Sequence, residues 1–486
     1  MLNRSAGDTM NFRLAFPIPR SAEKLFAAYL AFVIIVSLVF GGGTQQAIWS
    51  DAVAQLTALP LLGIALFRLQ RSPWSLRLRL ALIVVLCTLA LPLLQLVSLP
   101  PAIWTALPGR VPMLAAFQAV GLPIPWEPLT LDPAATWRGF LAMLPACAVF
   151  LATLTLESSA RSLIARVILS IVGISIVLDI LQIVGDVESP FRFYSFNSYH
   201  AGIGFFANAN HNATLLFCAI PLVVGAFGAQ LKIPEFRTGT LVIILSVVVA
   251  AIIGLATTWS RAGLLLALIG GLPTFVLASG LLGLKSTKRL FQAGATIYVA
   301  ALLVAFQFGF VSLSEKFDRG IMSDLRWPVA KISWQAVRET FPVGAGVGSF
   351  VPVYEMHAPR ELVLKDSYVN HAHDDWLELL LVGGLPIMLI LALFLAWLGI
   401  STVAAWRGES PGFRTADAAL AKAASIAVAL VLMHSAVDYP LRTIAIETLF
   451  AFCCACMLPA RLSDHIPVGA RSQSDGSPGS GRPVIS

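Results

Sequence analysis

The sequence predicts an all-α integral membrane protein of about 12 transmembrane helices, with one long extramembrane loop carrying short amphipathic helices. Three observations predict it. The chain is 57% hydrophobic and only 12% charged, where soluble proteins carry about a quarter charged residues. Apolar runs of 16 to 23 residues recur along it, and a helix needs roughly 20 apolar residues to cross a bilayer. The Lys and Arg residues gather in the short loops of one side. The net charge of +7 therefore reads as an orientation signal, not as a nucleic-acid footprint.

Twelve spans are expected, near 25–40, 50–67, 80–99, 139–155, 166–184, 212–229, 239–257, 263–284, 291–311, 376–403, 418–437 and 442–460. The first follows Arg4, Arg13, Arg20 and Lys24 and resembles a signal-peptide core. Gly41-Gly42-Gly43-Thr44 is a poor cleavage site, so the span reads as a retained helix. Alternate loops then fall on alternate sides, with 21 of the 33 Lys and Arg on the side of the termini and 12 on the other. Seven of those 12 lie in the single long loop 312–375, where the rule is weak. Both termini are thus expected in the cytoplasm and 312–375 outside it. The expected organisation is a cytoplasmic segment 1–24, a membrane domain 25–460 and a disordered tail 461–486 rich in Ser, Gly and Pro. All six cysteines fall inside spans, where they act as small apolar residues.

Polar residues concentrate on the outer face. A site there meets no ATP and no nucleotide sugar, so synthetic chemistry needs a donor already activated and carried across the membrane. In the long loop, Leu325, Val329, Ile332 and Ala336 fall at helical spacing, with Trp327 and Trp334 on a neighbouring stripe. Pro328 is tolerable only in a first turn, so the helix starts near Trp327. Such a helix suits a membrane interface or a lid packed on the bundle. After it, Gly344, Gly346 and Gly348 alternate in a run whose backbone could approach a phosphate, a weak signal by itself.

The loop closes with Asn370-His371-Ala372-His373-Asp374-Asp375-Trp376-Leu377-Glu378, leading straight into a span. An imidazole at that boundary can take a proton from a hydroxyl. His-x-His beside two acids is also a composition seen in zinc sites, although no distant partner motif accompanies it. A surface histidine is the bland reading.

Other polar segments divide in the same way. Thr257-Thr258-Trp259-Ser260-Arg261-Ala262-Gly263 is a tight turn between spans, and Arg261 there reads either as an anion clamp or as a snorkelling helix-end arginine. Asn208, Asn210 and His211 precede the sixth span; they could line a sugar or phosphate pocket or simply cap a helix. In the turn His434–Arg442, Asp438 either pairs with Arg442 or orients His373, and the segment reads first as a structural turn. Asp179, well inside a span, is either functional or a satisfied packing residue.

Taken in order, Asn208-Ala209-Asn210, Ser260-Arg261-Ala262-Gly263, Arg326 in its amphipathic stretch, Pro342–Phe350 and His373-Asp374-Asp375-Trp376-Leu377 before Gly-Gly-Leu-Pro resemble the O-antigen ligase/polymerase superfamily. The resemblance runs from about Gly202 to Leu458. It implies a multi-spanning glycosyltransferase of a bacterial inner membrane, working on the periplasmic face. Such an enzyme moves a glycan from undecaprenyl diphosphate to a glycan or lipid A core acceptor, without metal, cofactor or nucleotide sugar. The resemblance assigns catalytic roles to Arg261, Arg326 and His373. Asn208, Asn210, His211, Gly346, Gly348, Asp374, Asp438 and Arg442 are the expected substrate-binding residues. The family usually has Asn after the histidine; this chain has Asp374. Transfer onto protein, or a secondary transporter of lipid or sugar substrates, are the alternatives. Against a transporter stand the lack of a visible repeat and the few ionisable residues near the midplane.

Overall fold

A computed structural model describes residues 20–44, 49–70, 75–195, 197–283, 326–359, 369–408 and 415–460, with two isolated residues at 296 and 300. The described chain is almost wholly helical. In order it forms α1 (Arg20–Phe40), α2 (Trp49–Leu69), α3 (Leu76–Gln95), α4 (Pro101–Trp104), α5 (Val111–Ala119), α6 (Pro133–Leu154), α7 (Ser158–Val184), α8 (Ala209–Phe227), α9 (Pro234–Thr258) and α10 (Arg261–Leu281). Then follow α11 (Arg326–Thr340), α12 (Phe350–His357), α13 (Asp375–Arg407), α14 (Thr415–His434) and α15 (Ile444–Cys456). Among the described residues, ten helices are long and apolar enough to cross a membrane. The chain is a multi-pass, all-α membrane protein. Apart from residues 296 and 300, the expected span at 291–311 lies outside the described residues, as does the expected tail 461–486.

Several helices begin earlier than their apolar runs. The fifth was expected from 166, but α7 starts at Ser158 because Arg161 does not end the buried segment. Its guanidinium donates to the carbonyl oxygens of Thr153 (3.0 Å) and Leu458 (2.6 Å), so a fully buried cation sits among helix C-terminal carbonyls. The last expected span, 442–460, is a 13-residue helix after a single tight turn.

The core centres on α8, which is buried along nearly its whole length, as an all-round apolar helix must be. Its lead-in is held by polar groups of α7. Asn212 donates to Asp179 (2.8 Å), and Gln182 accepts from the backbone of Ile203 and Gly204 (2.9 Å each). Asp179 thus has a structural partner that fixes the start of α8.

The ends of many segments meet on one face. Ala207 N–H donates to Gly42 O, Gly202 N–H to Thr257 O and Ala445 N–H to Gly41 O, each at 3.0 Å, and Asp375 N–H donates to Ser435 O at 2.8 Å. On this face α1, α7, α9 and α14 finish, and α8, α10 and α13 begin. Here the structure adds a second extramembrane piece that periodicity does not reveal. Residues 96–132 carry α4, α5 and a two-residue β1–β2 pairing, Ser98 to Pro128 and Leu99 to Glu127. Gln95 fastens it, donating to Val382 O (3.0 Å) and accepting from Val347 N–H (2.9 Å).

α11 packs its expected apolar stripe, Val329, Ile332 and Ala336, into a small separate core with Phe350, Tyr354, Ala372 and Leu381. Trp327 and Trp334 stay exposed at 71% and 51%. The helix is therefore docked on the bundle and still presents two tryptophans outward. This docking fixes Arg326, its first residue. α13 is broken at Gly384, whose φ is +55. The carbonyls freed on the N-terminal side of the break are taken up by the glycine run: Ala345 N–H donates to Leu381 O and Gly346 N–H to Val382 O, both at 2.9 Å. Leu385 N–H reaches Pro342 O at 2.8 Å. The break thus anchors the loop, and only glycine fits, because a Cβ at 384 would collide with the Pro342 carbonyl.

Gly384→Ala is expected to lower the thermal unfolding temperature of detergent-purified protein, costing about 1–3 kcal/mol of strain. Gly399→Ala, in the same helix but with open space at its Cβ, is the control and should leave the transition unchanged or slightly raised.

Candidate functional site

The site is built around Asp438, in the turn between α14 and α15. Its carboxylate is 1% exposed and faces groups from three other segments. His373 Nδ1 lies 3.4 Å from Oδ1. Arg326 Nη2 lies 4.0 Å from Oδ2. Asn210, in the first turn of α8, donates its amide to Oδ2. The backbone N–H of Tyr439 donates to Oδ1 at 2.9 Å. Burial alone would raise the Asp438 pKa, but the adjacent His373 holds it below the usual carboxylate range. Asp438 is thus an anion at neutral pH.

His373 has φ +54, a left-handed conformation uncommon outside glycine. In an extended chain residues two apart share a face, and His371 and His373 would pair. The left-handed residue separates them. His371 Nδ1 meets Glu378 at 3.0 Å, whereas His373 meets Asp438. They do not converge as two ligands of one metal. The His373 imidazole keeps 29% exposure and Arg326 keeps 44%, so both reach Asp438 while facing the outside.

Tyr439 packs this cluster together. Its ring centroid lies 4.5 Å from that of His371, 4.8 Å from His211 and 4.9 Å from His373. Burial pushes its hydroxyl pKa up. Asn208 donates to that hydroxyl at 3.4 Å and also caps α8 through Asn210 N–H (2.8 Å). His211 is fully buried, with neither ring nitrogen hydrogen-bonded among the described residues, and it packs edge-on against Tyr439. Thr214 meets His434 Nδ1 at 2.8 Å one turn further along α8.

The other expected residues divide. Asp374 caps α13, accepting from Trp376 and Leu377 N–H at 2.9 and 3.1 Å. Arg442 does not pair with Asp438. Its Nε lies 3.1 Å from Asp375 and 3.4 Å from Glu378, two acids of the first turn of α13. Burial would lower the Arg442 pKa, but these carboxylates hold it above its ordinary value. Gly346 and Gly348, expected near phosphate, are instead close-packed. A Cβ on Gly346 would collide with Thr130, one on Gly348 with the Ala135 carbonyl, and the Gly346 N–H is already bonded to Val382 O. Arg261 opens α10 just after the left-handed Trp259, with Ser260 capping the helix at Gly263 N–H (3.1 Å). It is exposed and makes no ion pair with Asp438 among the described residues. Its helix start nonetheless abuts α8, Gly263 lying against Ala213, three residues beyond Asn210.

Sequence reasoning missed Tyr439, His434, Asp375 and Glu378. A usable signal existed for the two acids: Asp and Glu in the first turn of a helix complement its dipole, and an arginine near by on the same face would find them. Nothing in the sequence marks Tyr439 as the ring that three histidines share.

Arg442→Met would leave Asp375 and Glu378 buried without their cation. The expected cost is about 3–5 kcal/mol, read as a large drop in the thermal unfolding temperature of the purified protein. Arg442→Lys should recover part of it, since one ammonium cannot meet both acids with the same geometry.

Residues 235–392 match a family model described as O-antigen ligase. The match runs from α9 to residue 392 within α13 and includes Arg261, Arg326 and His373; Asn208–His211 and Asp438–Arg442 lie beyond its ends. No curated protein matches the chain. Over residues 235–392 this multi-pass protein, with its many apolar helices and its polar cluster at their ends, is similar to the O-antigen ligase family.

Proposed function

We propose that the protein transfers a glycan from undecaprenyl diphosphate to a sugar hydroxyl, on the periplasmic face of a bacterial inner membrane. The observation that carries this reading is the meeting of His373 and Arg326 on the buried Asp438. A base, a cation and the anion that positions them come from three segments far apart in sequence.

The chemistry follows from the charges. As the bond between the anomeric carbon and the diphosphate breaks, its electron pair stays on the diphosphate, which gains negative charge. Arg326 and Arg261 stabilise that charge; a guanidinium stays protonated and binds phosphate oxygens in a fixed fork. His373 takes the proton of the acceptor hydroxyl, whose oxygen forms the new bond to the anomeric carbon. Asp438 faces Nδ1, which leaves Nε2 for the hydroxyl and stabilises the imidazolium that forms. Attack opposite the leaving group inverts the anomeric centre. Asn208 and Asn210 hold the Asp438–Tyr439 turn, so they act on the substrate through Asp438.

The test is glycan transfer from purified lipid diphosphate by membranes carrying each variant at matched expression. His373→Ala should lose about 10²–10⁴-fold in turnover, the usual contribution of a general base, while still binding the lipid diphosphate. Arg326→Ala and Arg261→Ala should weaken donor binding as well as rate, each removing about 2.7–4 kcal/mol of barrier lowering; Lys should rescue only in part. Near-normal turnover in His373→Ala would end the mechanism.

Transfer should also persist in excess EDTA, because the arginines carry the charge. Abolition by chelation with restoration by zinc would reassign the histidines. The acceptor is read from cells lacking the gene. Single repeat units left on carrier mean a polymerase, and long chains beside bare lipid A core mean a ligase.

A further inference from the structure

A cavity of about 300 Å³ lies between α3, α6, α13 and α15. Its lining includes Asp375 but none of Arg261, Arg326, His373 and Asp438, so it is separate from the proposed transfer site. Trp376 and Trp397, 21 residues apart in α13, both line it. They lie on either side of the break at Gly384. Ala81, Leu91 and Phe150 of the facing helices are among its apolar walls. An apolar chain suits this lining.

The polar residues of the lining are Ser435, Asp375, Arg442 and Glu447, with Cys147, Cys454 and Thr88 along the walls. Ser435 is engaged with Asp375 at 2.8 Å. Arg442 Nη2 and Glu447 Oε2 are buried and have no hydrogen-bond partner among the described residues, a costly state for polar atoms unless a ligand or water meets them. One is a donor and the other an acceptor. A hydroxyl carries both functions such a pair calls for, an acceptor for a guanidinium and a donor for a carboxylate. An anionic head is disfavoured, because Arg442 already faces Asp375 and Glu378 and Glu447 adds a third carboxylate.

We infer that this cavity binds a lipid with a long apolar chain and an uncharged, hydroxyl-bearing head, distinct from the anionic diphosphate donor. Both isoprenoid alcohols and acylglycerols have that chemistry. The head lies beside Asp375, whose backbone N–H reaches Asp438 O at 3.3 Å, so the lipid is bound next to the turn that carries the transfer site. The inference does not depend on the roles given to His373 and the arginines.

The test uses a diazirine-bearing 1-dodecanol, photoactivated on the intact protein in lipid nanodiscs without glycan donor, followed by peptide mapping. Labelling should concentrate on α13 and α15 residues that line the cavity. Unlabelled dodecanol should suppress it at least about tenfold more effectively than dodecyl phosphate, the difference expected for one charge-assisted hydrogen bond. Ala451→Phe, which fills the cavity, should abolish the labelling. Glu447→Met should weaken it and, with one carboxylate fewer beside Arg442, narrow the advantage of dodecanol over dodecyl phosphate. Farnesol or dioctanoylglycerol, whichever competes more strongly, names the source. The inference is overturned if dodecyl phosphate competes as well as dodecanol, if neither natural-type alcohol competes, or if label spreads evenly over lipid-facing helices. Unchanged labelling in a folded Ala451→Phe protein overturns it as well. Should that variant not fold, the competition series on the unaltered protein decides.

Discussion

The structure around the candidate site depends on the compensation of one buried carboxylate. Asp438 is almost wholly removed from solvent, and an ionised acid in that position is tolerated only when other groups surround it. Those groups come from the start of α8, from α11 and from the segment before α13. Each of these is extramembrane chain or a helix end, free to move unless something holds it. The requirement of Asp438 for partners therefore fixes where Asn210, Arg326 and His373 stand relative to one another. Tyr439 reinforces this through ring contacts with three imidazoles.

A second set of acids does the same for the helix below. Asp375 and Glu378 sit in the first turn of α13, where the helix dipole favours them, and Arg442 bridges both. Asp375 also ties to Ser435 through its side chain and its backbone. The turn between α14 and α15 is thus clamped from one side by Arg442 and from the other by the partners of Asp438. The break at Gly384 completes the frame, because the carbonyls it frees capture the glycine run and with it the C-terminal end of α11.

Much of this was legible in the sequence because a bilayer imposes long apolar runs, and the alternation of spans puts Arg261, Arg326, His373 and Asp438 on one face by counting. The helix at 326–340 was legible from its stripe, and the choice between Asp438 pairing with Arg442 or orienting His373 was at least posed. What was not legible depends on backbone conformation and on contacts between distant segments. The glycines at 346 and 348 suggested a phosphate approach, yet they are small because Thr130 and the Ala135 carbonyl press against them. His371 and His373 look like a pair in sequence, and a single left-handed residue parts them. The extramembrane piece 96–132 escaped because its two-residue strands and short helices have no periodicity long enough to read.

The central claim is that His373 works through its contact with Asp438, and a double-mutant cycle in the transfer assay tests it most directly. Asp438→Asn and His373→Gln are each compared with the unaltered protein and with the double variant. If the two residues act as one unit, the double variant will be about as slow as the worse single variant, since coupled groups are far from additive. If the two losses simply multiply, His373 and Asp438 act independently and the account is contradicted.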